Sequence, residues 1–304
     1  MDRLGGIDIG GTSIKYGIII NGRVESRSLI PTPKNEKSLN IDLKEVAREL
    51  IKRKAKGIGI GFPGYIEQSS KKFIGGPNLK FEVNINKLMG ELNYANYKID
   101  NDGNLAALAE YEKFYKDKVS SLIFLSFGTG IGGGIINDSE LIRGAGNAGE
   151  LGHLLIADNK NLEPCGCGKV GCFESLASAN KWSEAVKELI KEEPSSELSL
   201  INEKEIKGSS LFSKKLTLTR IQTSQREEFI ENIYRGLISL YEIFDNQVFV
   251  LGGSFSDDGN DLVDLINERF KQFNPYTKRT FPDINIAKLK SDAGIIGAAL
   301  LLND

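Results

Sequence analysis

The chain has 304 residues, of which 40% are hydrophobic and 26% charged, a composition typical of globular proteins. Its 39 basic and 41 acidic side chains nearly balance, which excludes a strongly basic surface for nucleic acid or an anionic membrane. This length exceeds what one hydrophobic core usually supports, so two domains are expected.

The N-terminal segment predicts a hairpin whose turn is rich in glycine. Leu4–Ile9 is predicted as a strand, Gly10–Ser13 as a tight turn and Ile14–Ile20 as a second strand, followed by the Asn21-Gly22 turn signal. A Rossmann or Walker loop would lead into a helix instead. An acid such as Asp8, just before the turn, can hold hydrated Mg²⁺ while the turn amides face phosphate oxygens.

A central segment predicts a strand at Tyr97–Asp100, a turn at Asn101–Asn104 and an amphipathic helix at Leu105–Phe114. Asp102 then lies at a strand-to-helix junction, where a side chain can point into a cleft. Because Asp and Asn commonly cap helices and three such residues stand together, the local pattern favours a cap over a catalytic group.

The stretch Leu122–Ile136 repeats the glycine hairpin with the sequence FGTGIGGG. Gly128, Gly130 and Gly133 satisfy G-x-G-x-x-G, but the following residues lead into an Asn137-Asp138 turn rather than a helix, so a dinucleotide site is disfavoured. Two such hairpins indicate a duplicated phosphate-binding fold.

The only histidine and all three cysteines lie within twenty residues, as His153, Cys165, Cys167 and Cys172. An odd cysteine count argues against a disulfide framework, and the spacing is not the C-x-x-C of a redox pair. Three thiolates and an imidazole complete a tetrahedral shell, so structural Zn²⁺ is predicted and catalytic zinc is not. Glu150 and Glu174 flank this group and would be held by the same loop.

Several motifs together resemble the ROK group of sugar kinases, within the actin-like, ribonuclease H-like ATPase superfamily. They are DIGGT at 8–12, NDGN at 101–104, FGTGIGGG at 127–134, GELGH at 149–153, CGCGKVGCFE at 165–174, LGGS at 251–254 and AGIIGAA at 293–299. The resemblance implies an α/β, two-lobed actin-like fold with a cleft between the lobes. It also implies a homodimer or higher homo-oligomer.

The resemblance assigns roles to individual residues, with Asp102 as the general base that accepts a proton from a sugar hydroxyl. It implies that the sugar is bound by Gly64, Asn78, Asn101, Asp102, Glu150, His153 and Glu174. It implies that ATP with Mg²⁺ is bound by Asp8, Gly10, Gly11, Thr12, Lys15, Thr129, Gly130, Gly252 and Gly253. Two departures from the family pattern are Asp100, where glutamate is common, and Lys80-Phe81 at the edge of the sugar pocket.

The predicted lobes are residues 1–103 with 290–304, and residues 104–289 with the zinc site. The larger lobe is expected to contain helices at Lys181–Lys191 and Glu227–Phe244, while residues 191–225 carry no clear pattern. A strand that begins at Leu4 leaves no room for a signal peptide, and the apolar run Ala293–Leu302 is shorter than the roughly 20 residues of a membrane span. A cytoplasmic protein without membrane or nucleic-acid partners is expected.

The leading hypothesis is an ATP-dependent kinase that phosphorylates the C6 hydroxyl of a hexose, with glucose as the first choice. An N-acetylmannosamine, N-acetylglucosamine or fructose kinase of the same family is the alternative. From another class, a sugar-sensing ROK regulator would carry a helix-turn-helix domain before DIGGT, for which Asp8 leaves no room. A zinc-stabilised ATPase or scaffold is the third hypothesis, and the flanking carboxylates argue against it.

Overall fold

The computed structural model describes residues 2–201, 212, 216–256, 259–272 and 280–303. Its strands are β1 (Arg3–Ile9), β2 (Ser13–Ile20), β3 (Arg23–Pro31), β4 (Ile58–Phe62), β5 (Tyr65–Glu67), β6 (Lys72–Gly75), β7 (Val83–Asn84), β8 (Tyr97–Asn101), β9 (Leu122–Phe127), β10 (Ile131–Asn137), β11 (Glu140–Leu141), β12 (Val248–Gly253) and β13 (Asp283–Ile286). Its helices are α1 (Glu36–Lys52), α2 (Ile85–Glu91), α3 (Asp102–Glu110), α4 (Phe173–Ala177), α5 (Ala179–Glu192), α6 (Arg220–Phe244), α7 (Asn260–Gln272) and α8 (Ala293–Leu300). The predicted α/β class is confirmed.

Two five-stranded sheets organise the chain. The first has the order β3-β2-β1-β4-β8, in which β1, β2 and β3 pair antiparallel while β4 pairs parallel with β1 and β8. The second has the order β11-β10-β9-β12-β13, with β12 parallel to β9 and β13. Both predicted glycine hairpins are confirmed, because β1 pairs with β2 across the first turn and β9 neighbours β10 across the second. A small third sheet has the order β5-β6-β7.

Contacts divide the chain into two compact units. The first unit contains residues 1–118, 134–149 and 289–304, and the second contains residues 119–133 and 150–288. The bounds of these units differ from those of the predicted lobes, because α3 belongs to the first unit and not to the larger predicted lobe. It does so because Leu105 and Leu108 of α3 share a buried cluster with Ala298 and Leu301 at the C-terminus.

Each unit has its own buried core. In the first unit, isoleucines of β1, β2 and β4 pack with the buried face of α1, including Leu39, Leu43 and Leu50. The second unit contains an aromatic cluster in which the Trp182 ring lies 4.4 Å from Phe229 and the Phe127 ring lies 4.9 Å from Phe255, between ring centroids. Aromatic rings bury large apolar areas, so this cluster anchors α5 and α6.

Two predicted helix boundaries were wrong. The segment Asn101–Asn104 is not a turn, because α3 begins at Asp102, and beyond Glu110 the helix continues as a π-helical turn at Tyr111–Tyr115. Helix α6 begins at Arg220, seven residues before the predicted Glu227. The first of the two errors bears directly on the candidate catalytic residue.

The weakly patterned region 191–225 is only partly described. Helix α5 ends at Glu192, a 3₁₀ turn covers Glu197–Leu200 and α6 follows, while residues 202–211 and 213–215 lie outside the described part. Within the described ranges, no helix combines the length and the apolar character needed to cross a bilayer.

Candidate functional site

In the first unit, the first glycine turn is closed by hydrogen bonds around its backbone. The Gly10 amide donates to the Ser13 carbonyl over 2.9 Å, and the Thr32 hydroxyl donates to the Gly10 carbonyl over 2.7 Å. The Lys34 ammonium donates to the Gly11 carbonyl. The structure therefore brings to this turn a cation that the sequence does not predict, because no local pattern links Lys34 to Gly11, 23 positions earlier.

Asp8 lies at the end of β1, directly opposite Lys15 of β2 in the antiparallel register. The Lys15 ammonium is 3.9 Å from the Asp8 carboxylate, and Gly294 of α8 lies against the same carboxylate. Burial raises the pKa of Asp8 above its usual 3.8, while the positive charge of Lys15 acts in the opposite direction. The predicted residues Asp8, Gly10, Gly11 and Lys15 thus lie together, and exposed Thr12 lies between them in the chain.

Asp102 is the first residue of α3, and it is half-buried. The cap is Asn101, whose side-chain Oδ1 accepts from the Gly103 amide over 2.8 Å and from the Asn104 amide over 3.4 Å. The cap that the local pattern favoured therefore exists, but one residue earlier than Asp102. The Gly103 amide also donates to Oδ1 of Asp102, over 2.9 Å, so the Asp102 side chain takes part in closing the first turn of the helix together with Asn101.

The predicted sugar-binding residues of the first unit lie close to this helix start or to the glycine turn. The Asn101 side-chain amide donates to the Gly64 carbonyl over 3.1 Å, which joins two of them directly. Asn78 is exposed and lies against Gly11. The structure therefore brings Asn101, Asp102 and Gly64 together, and it places Asn78 beside the predicted nucleotide turn.

A buried ion pair that the sequence does not predict supports the Asn101–Asn104 segment at the start of α3. Asp100 is 1% exposed, and its Oδ2 lies 2.7 Å from Nε of Arg143. Its Oδ1 accepts from the Asn101 amide and from the Asn104 side chain, each over 2.8 Å. In the sequence, Asp100 stands out only as a departure from the family pattern. No sequence pattern links it to an arginine 43 positions away.

In the second unit, the other predicted nucleotide residues come from neighbouring strands. Gly252 and Gly253 at the end of β12 pair with Ser126 and Phe127 at the end of β9, just before Thr129 and Gly130. A Cβ atom at Gly130 would overlap the Glu174 carboxylate, so a larger residue there would force the Glu174 side chain to move. The two strand ends therefore meet at one edge of the sheet, as expected for parallel neighbours.

The single histidine and the three cysteines converge in the second unit. Their candidate ligand atoms all lie within 4.8 Å of one another, with Nδ1 of His153 at 3.7 Å from Sγ of Cys165 and the sulfurs of Cys167 and Cys172 at 3.6 Å. Zn–S bonds of about 2.3 Å in a tetrahedron place two sulfurs about 3.8 Å apart. These distances fit a shared tetrahedral ion, and all three cysteines are free thiols.

Backbone hydrogen bonds shape the loop that holds these groups. The Cys165 amide donates to the Lys169 carbonyl, and the Gly168 amide donates to the Cys165 carbonyl, each over 2.8 Å. Gly171 has φ of +84°, and a Cβ there would overlap the Ala157 carbonyl, so the turn before Cys172 needs glycine.

The thiols differ in their surroundings. Burial raises the pKa of the Cys172 thiol to about 12, and burial also raises the pKa of Cys165. A hydrogen bond from the Lys169 backbone lowers the pKa of exposed Cys167. Three thiolates this close repel one another, so a cation is the group that completes this donor set.

The two flanking carboxylates lie beside different residues of the cluster. Glu150 Oε2 is 4.0 Å from Nε2 of His153, and Glu174 Oε1 is 3.6 Å from Sγ of Cys165. Glu174 Oε2 also accepts from the Ile131 amide over 2.9 Å. Burial raises the pKa of Glu150, the imidazole of His153 lowers it, and the Glu174 charge raises it. Each acid therefore lies beside one residue of the cluster, and whether a metal fixes both stays a prediction.

Comparison with known proteins assigns the chain to a family. Residues 4–304 match the ROK family. The chain belongs to the ROK family. A ROK glucokinase from Streptomyces griseus, solved with glucose and AMPPNP, superposes with a TM-score of 0.81 at 27% identity and 98% coverage of both chains. The predicted actin-like ATPase fold is thereby confirmed.

Two curated relatives have different functions by name, one as an enzyme and the other as a repressor. The glucokinase of Halalkalibacterium halodurans is 29% identical over 98% of this chain and 94% of its own length. A xylose repressor of Caldicellulosiruptor bescii is 34% identical over 82% of this chain, but the match spans only 63% of the repressor. Enzymes and regulators are thus both similar to this ROK protein.

Proposed function

We propose that this ROK protein is an ATP-dependent hexose kinase that transfers the γ-phosphoryl group of ATP to the C6 hydroxyl, with glucose as the leading substrate. The observation that carries the proposal is the pair of carboxylates, Glu150 and Glu174, held beside His153 and Cys165 of the cysteine–histidine cluster. Carboxylates fixed in this way can accept hydrogen bonds from the hydroxyls of a carbohydrate. An ATPase or a scaffold without a sugar substrate would not require such a pair of carboxylates.

In this proposal, Asp102 orients the attacking hydroxyl and accepts its proton. Phosphoryl transfer passes through a loose transition state, so the new oxygen–phosphorus bond forms while the bond to ADP breaks. An ordinary carboxylate is too weak a base to ionise an alcohol beforehand, so the proton moves to Asp102 late, as the bond forms. Alignment of the hydroxyl by this hydrogen bond is the larger part of its effect.

The sugar hydroxyls would be bound by Gly64, Asn78, Asn101, Glu150, His153 and Glu174. Zinc held by His153 Nδ1 and the three thiolates would make the loop from His153 to Cys172 rigid. His153 would then keep its proton on Nε2, where it can donate to a hydroxyl or to Glu150. Asp8, which lies beside the first glycine turn, would hold the hydrated Mg²⁺ that accompanies ATP.

The first test is a coupled assay of ADP release with Mg-ATP and a panel of glucose, mannose, fructose, N-acetylglucosamine and N-acetylmannosamine. We expect glucose to give the highest kcat/KM. Preference for an amino sugar or fructose would favour the alternative kinase within the family. Sugar binding by calorimetry without any ADP release would contradict the proposal and favour a sugar-sensing protein, the class to which the repressor relative points.

The second test substitutes the proposed base. We expect Asp102→Asn to keep sugar affinity within a few-fold and to lose about a hundredfold or more in kcat, the usual contribution of a general base. Asp117→Asn, an exposed aspartate of the same unit, is the matched control and should retain full activity. A comparable kcat in Asp102→Asn would remove Asp102 from the mechanism.

The oligomeric state and the cellular location remain predictions. The family resemblance favours a homodimer or higher homo-oligomer, for which sedimentation equilibrium is the direct measurement. A cytoplasmic location is expected for an enzyme that consumes ATP and an internal sugar pool, and fractionation of cells that express the protein would test it.

A further inference from the structure

The Asp100 carboxylate is a deeply buried acid directly before the start of α3, where the candidate catalytic residue Asp102 lies. At 1% exposure it uses both oxygens, with Oδ2 on Nε of Arg143 at 2.7 Å and Oδ1 on the Asn101 amide and the Asn104 side chain at 2.8 Å. A buried carboxylate is tolerated only when it is paired and hydrogen-bonded. Arg143 therefore permits an ionised acid at this position.

Hydrogen bonds connect Asp100 with the rest of the Asn101–Asn104 segment. The Asn101 side chain, whose backbone amide Asp100 holds, caps the amides of Gly103 and Asn104 and donates to the Gly64 carbonyl. Asp102 is the only residue between the cap and these capped amides. The Gly103 amide also donates to Oδ1 of Asp102 over 2.9 Å, so the Asp102 carboxylate is linked through this amide to the Asn101 cap and thus to Asp100.

We propose that the Arg143–Asp100 ion pair is a positioning device for the Asp102 carboxylate, holding the Asn101–Asn104 segment in the geometry that phosphoryl transfer requires. The inference rests on the proposed function of Asp102 as the base. Neither Arg143 nor Asp100 touches the substrate in this scheme. Because a displacement of about 1 Å can cost up to a hundredfold in rate, a small relaxation of this segment would be visible in kcat.

Arg143 can be reached from solvent, which allows a sharp test. Its side chain is 28% exposed and borders a cavity of about 270 Å³ lined also by Gln68, Lys71, Lys98 and Leu301. Truncation to alanine would join the vacated space to this cavity. A guanidinium ion added to the solution could then enter and pair with Asp100, although Lys71 and Lys98 would oppose a cation, so millimolar concentrations are needed.

The experiment measures Arg143→Ala with and without guanidinium chloride. We expect kcat to fall by about ten- to a hundredfold with sugar KM changed far less, and added guanidinium to restore a measurable part of kcat. Sodium chloride at equal ionic strength should restore nothing. The matched control is Arg235→Ala, which removes an exposed pair with Glu231 on α6 and should show neither loss nor rescue. Wild-type kcat in Arg143→Ala, or a loss that guanidinium does not reverse, would overturn the proposal.

A double-mutant cycle separates positioning from a general loss of structure. If Arg143 acts through Asp102, Arg143→Ala should lower kcat of wild type but leave the residual kcat of Asp102→Asn unchanged. Equal losses in both backgrounds would overturn the proposal. Should Arg143→Ala fail to fold, the neutral pair Asp100→Asn with Arg143→Met leaves no buried charge and carries the same cycle.

A readout that is independent of catalysis distinguishes this inference from the proposed function. Amide hydrogen exchange at Gly103 and Asn104 should be faster in Arg143→Ala and slower again with guanidinium. If wild type phosphorylates no sugar, the proposed function fails, and the exchange rates still decide whether the pair holds the segment. Unchanged exchange at both amides would overturn the positioning role even in an active kinase.

Discussion

Asp8 illustrates a conflict between stability and activity at a single residue. Its carboxylate is 16% exposed at the end of β1, and burial raises its pKa while Lys15 at 3.9 Å opposes the shift. A raised pKa means that the folded protein holds the proton more tightly than the unfolded chain does. The associated stability is present at low pH and is lost as pH rises through the folded pKa of Asp8, above 3.8.

We therefore expect Asp8→Asn to raise Tm of the metal-free protein at neutral pH, because the amide avoids the cost of a buried charge. Its Tm should also depend less on pH above 3.8. Turnover should fall by about tenfold or more, since Mg²⁺ loses its carboxylate. Thermal unfolding across pH, with Asp117→Asn as the control, is the measurement. An unchanged Tm profile would show that Asp8 is not desolvated.

At the scale of elements, we predict that the loop from His153 to Cys172 depends on a zinc ion held by the cluster. We expect a chelator to remove one zinc per chain and to raise KM for the sugar before kcat falls, because Glu150 and Glu174 lose their support. Metal analysis and steady-state kinetics before and after chelation test this. If carefully purified active protein contains no zinc, the metal has no part in the sugar site.

Helix α6 has a cap whose energetic contribution can be measured. Thr219 and Gln222 form a capping box, with the Thr219 hydroxyl accepting from the Gln222 amide and the Gln222 side chain accepting from the Thr219 amide. Thr219→Ala should cost at least about 1 kcal/mol of unfolding free energy, because it removes the cap and also the hydrogen bond from the Thr219 hydroxyl to the Glu193 carboxylate. Thr223→Ala, one turn later, is the control and should cost less, since the Thr223 hydroxyl donates to the Thr219 carbonyl, which also accepts from the Thr223 amide. Denaturant unfolding of both variants decides the comparison.

The elements show what local pattern can and cannot predict. The glycine hairpins were predictable because alternating apolar residues and turn signals act over a few positions. The start of α6 was missed although T-x-x-Q is a readable capping box, because the polar residues around it suggested a loop. The start of α3 could not be resolved, since Asn101, Asp102 and Asn104 are all good caps and only the observed hydrogen bonds select Asn101.

At the scale of the whole molecule, the two units are interleaved along the chain. Residues 134–149 belong to the first unit although both flanking segments belong to the second. No sequence pattern marks this division, because it passes through the continuous strand β10. The convergence of His153 with the three cysteines was predictable because residue type and spacing suffice, whereas the Arg143–Asp100 pair depends on this interleaving within the first unit.

The separate cores predict that metal loss acts locally. After chelation, we expect faster amide exchange along the loop of the second unit that contains Leu155, Cys165 and Cys172. The first sheet, including the amides of β1 and β4, should keep its protection. Hydrogen exchange with mass spectrometry of holo and chelated protein measures both. Faster exchange throughout the first sheet would mean that the metal supports the entire chain.

All sulfhydryl groups of the sequence belong to one cluster. Any cysteine that an oxidant or alkylating agent modifies therefore lies in this cluster. Oxidation of these thiols would remove the ligands of the proposed zinc ion and loosen the acids beside it, whereas the glycine turns contain no sulfur to attack. Oxidative damage to this protein would consequently impair carbohydrate recognition first, and a single colorimetric thiol titration would report it.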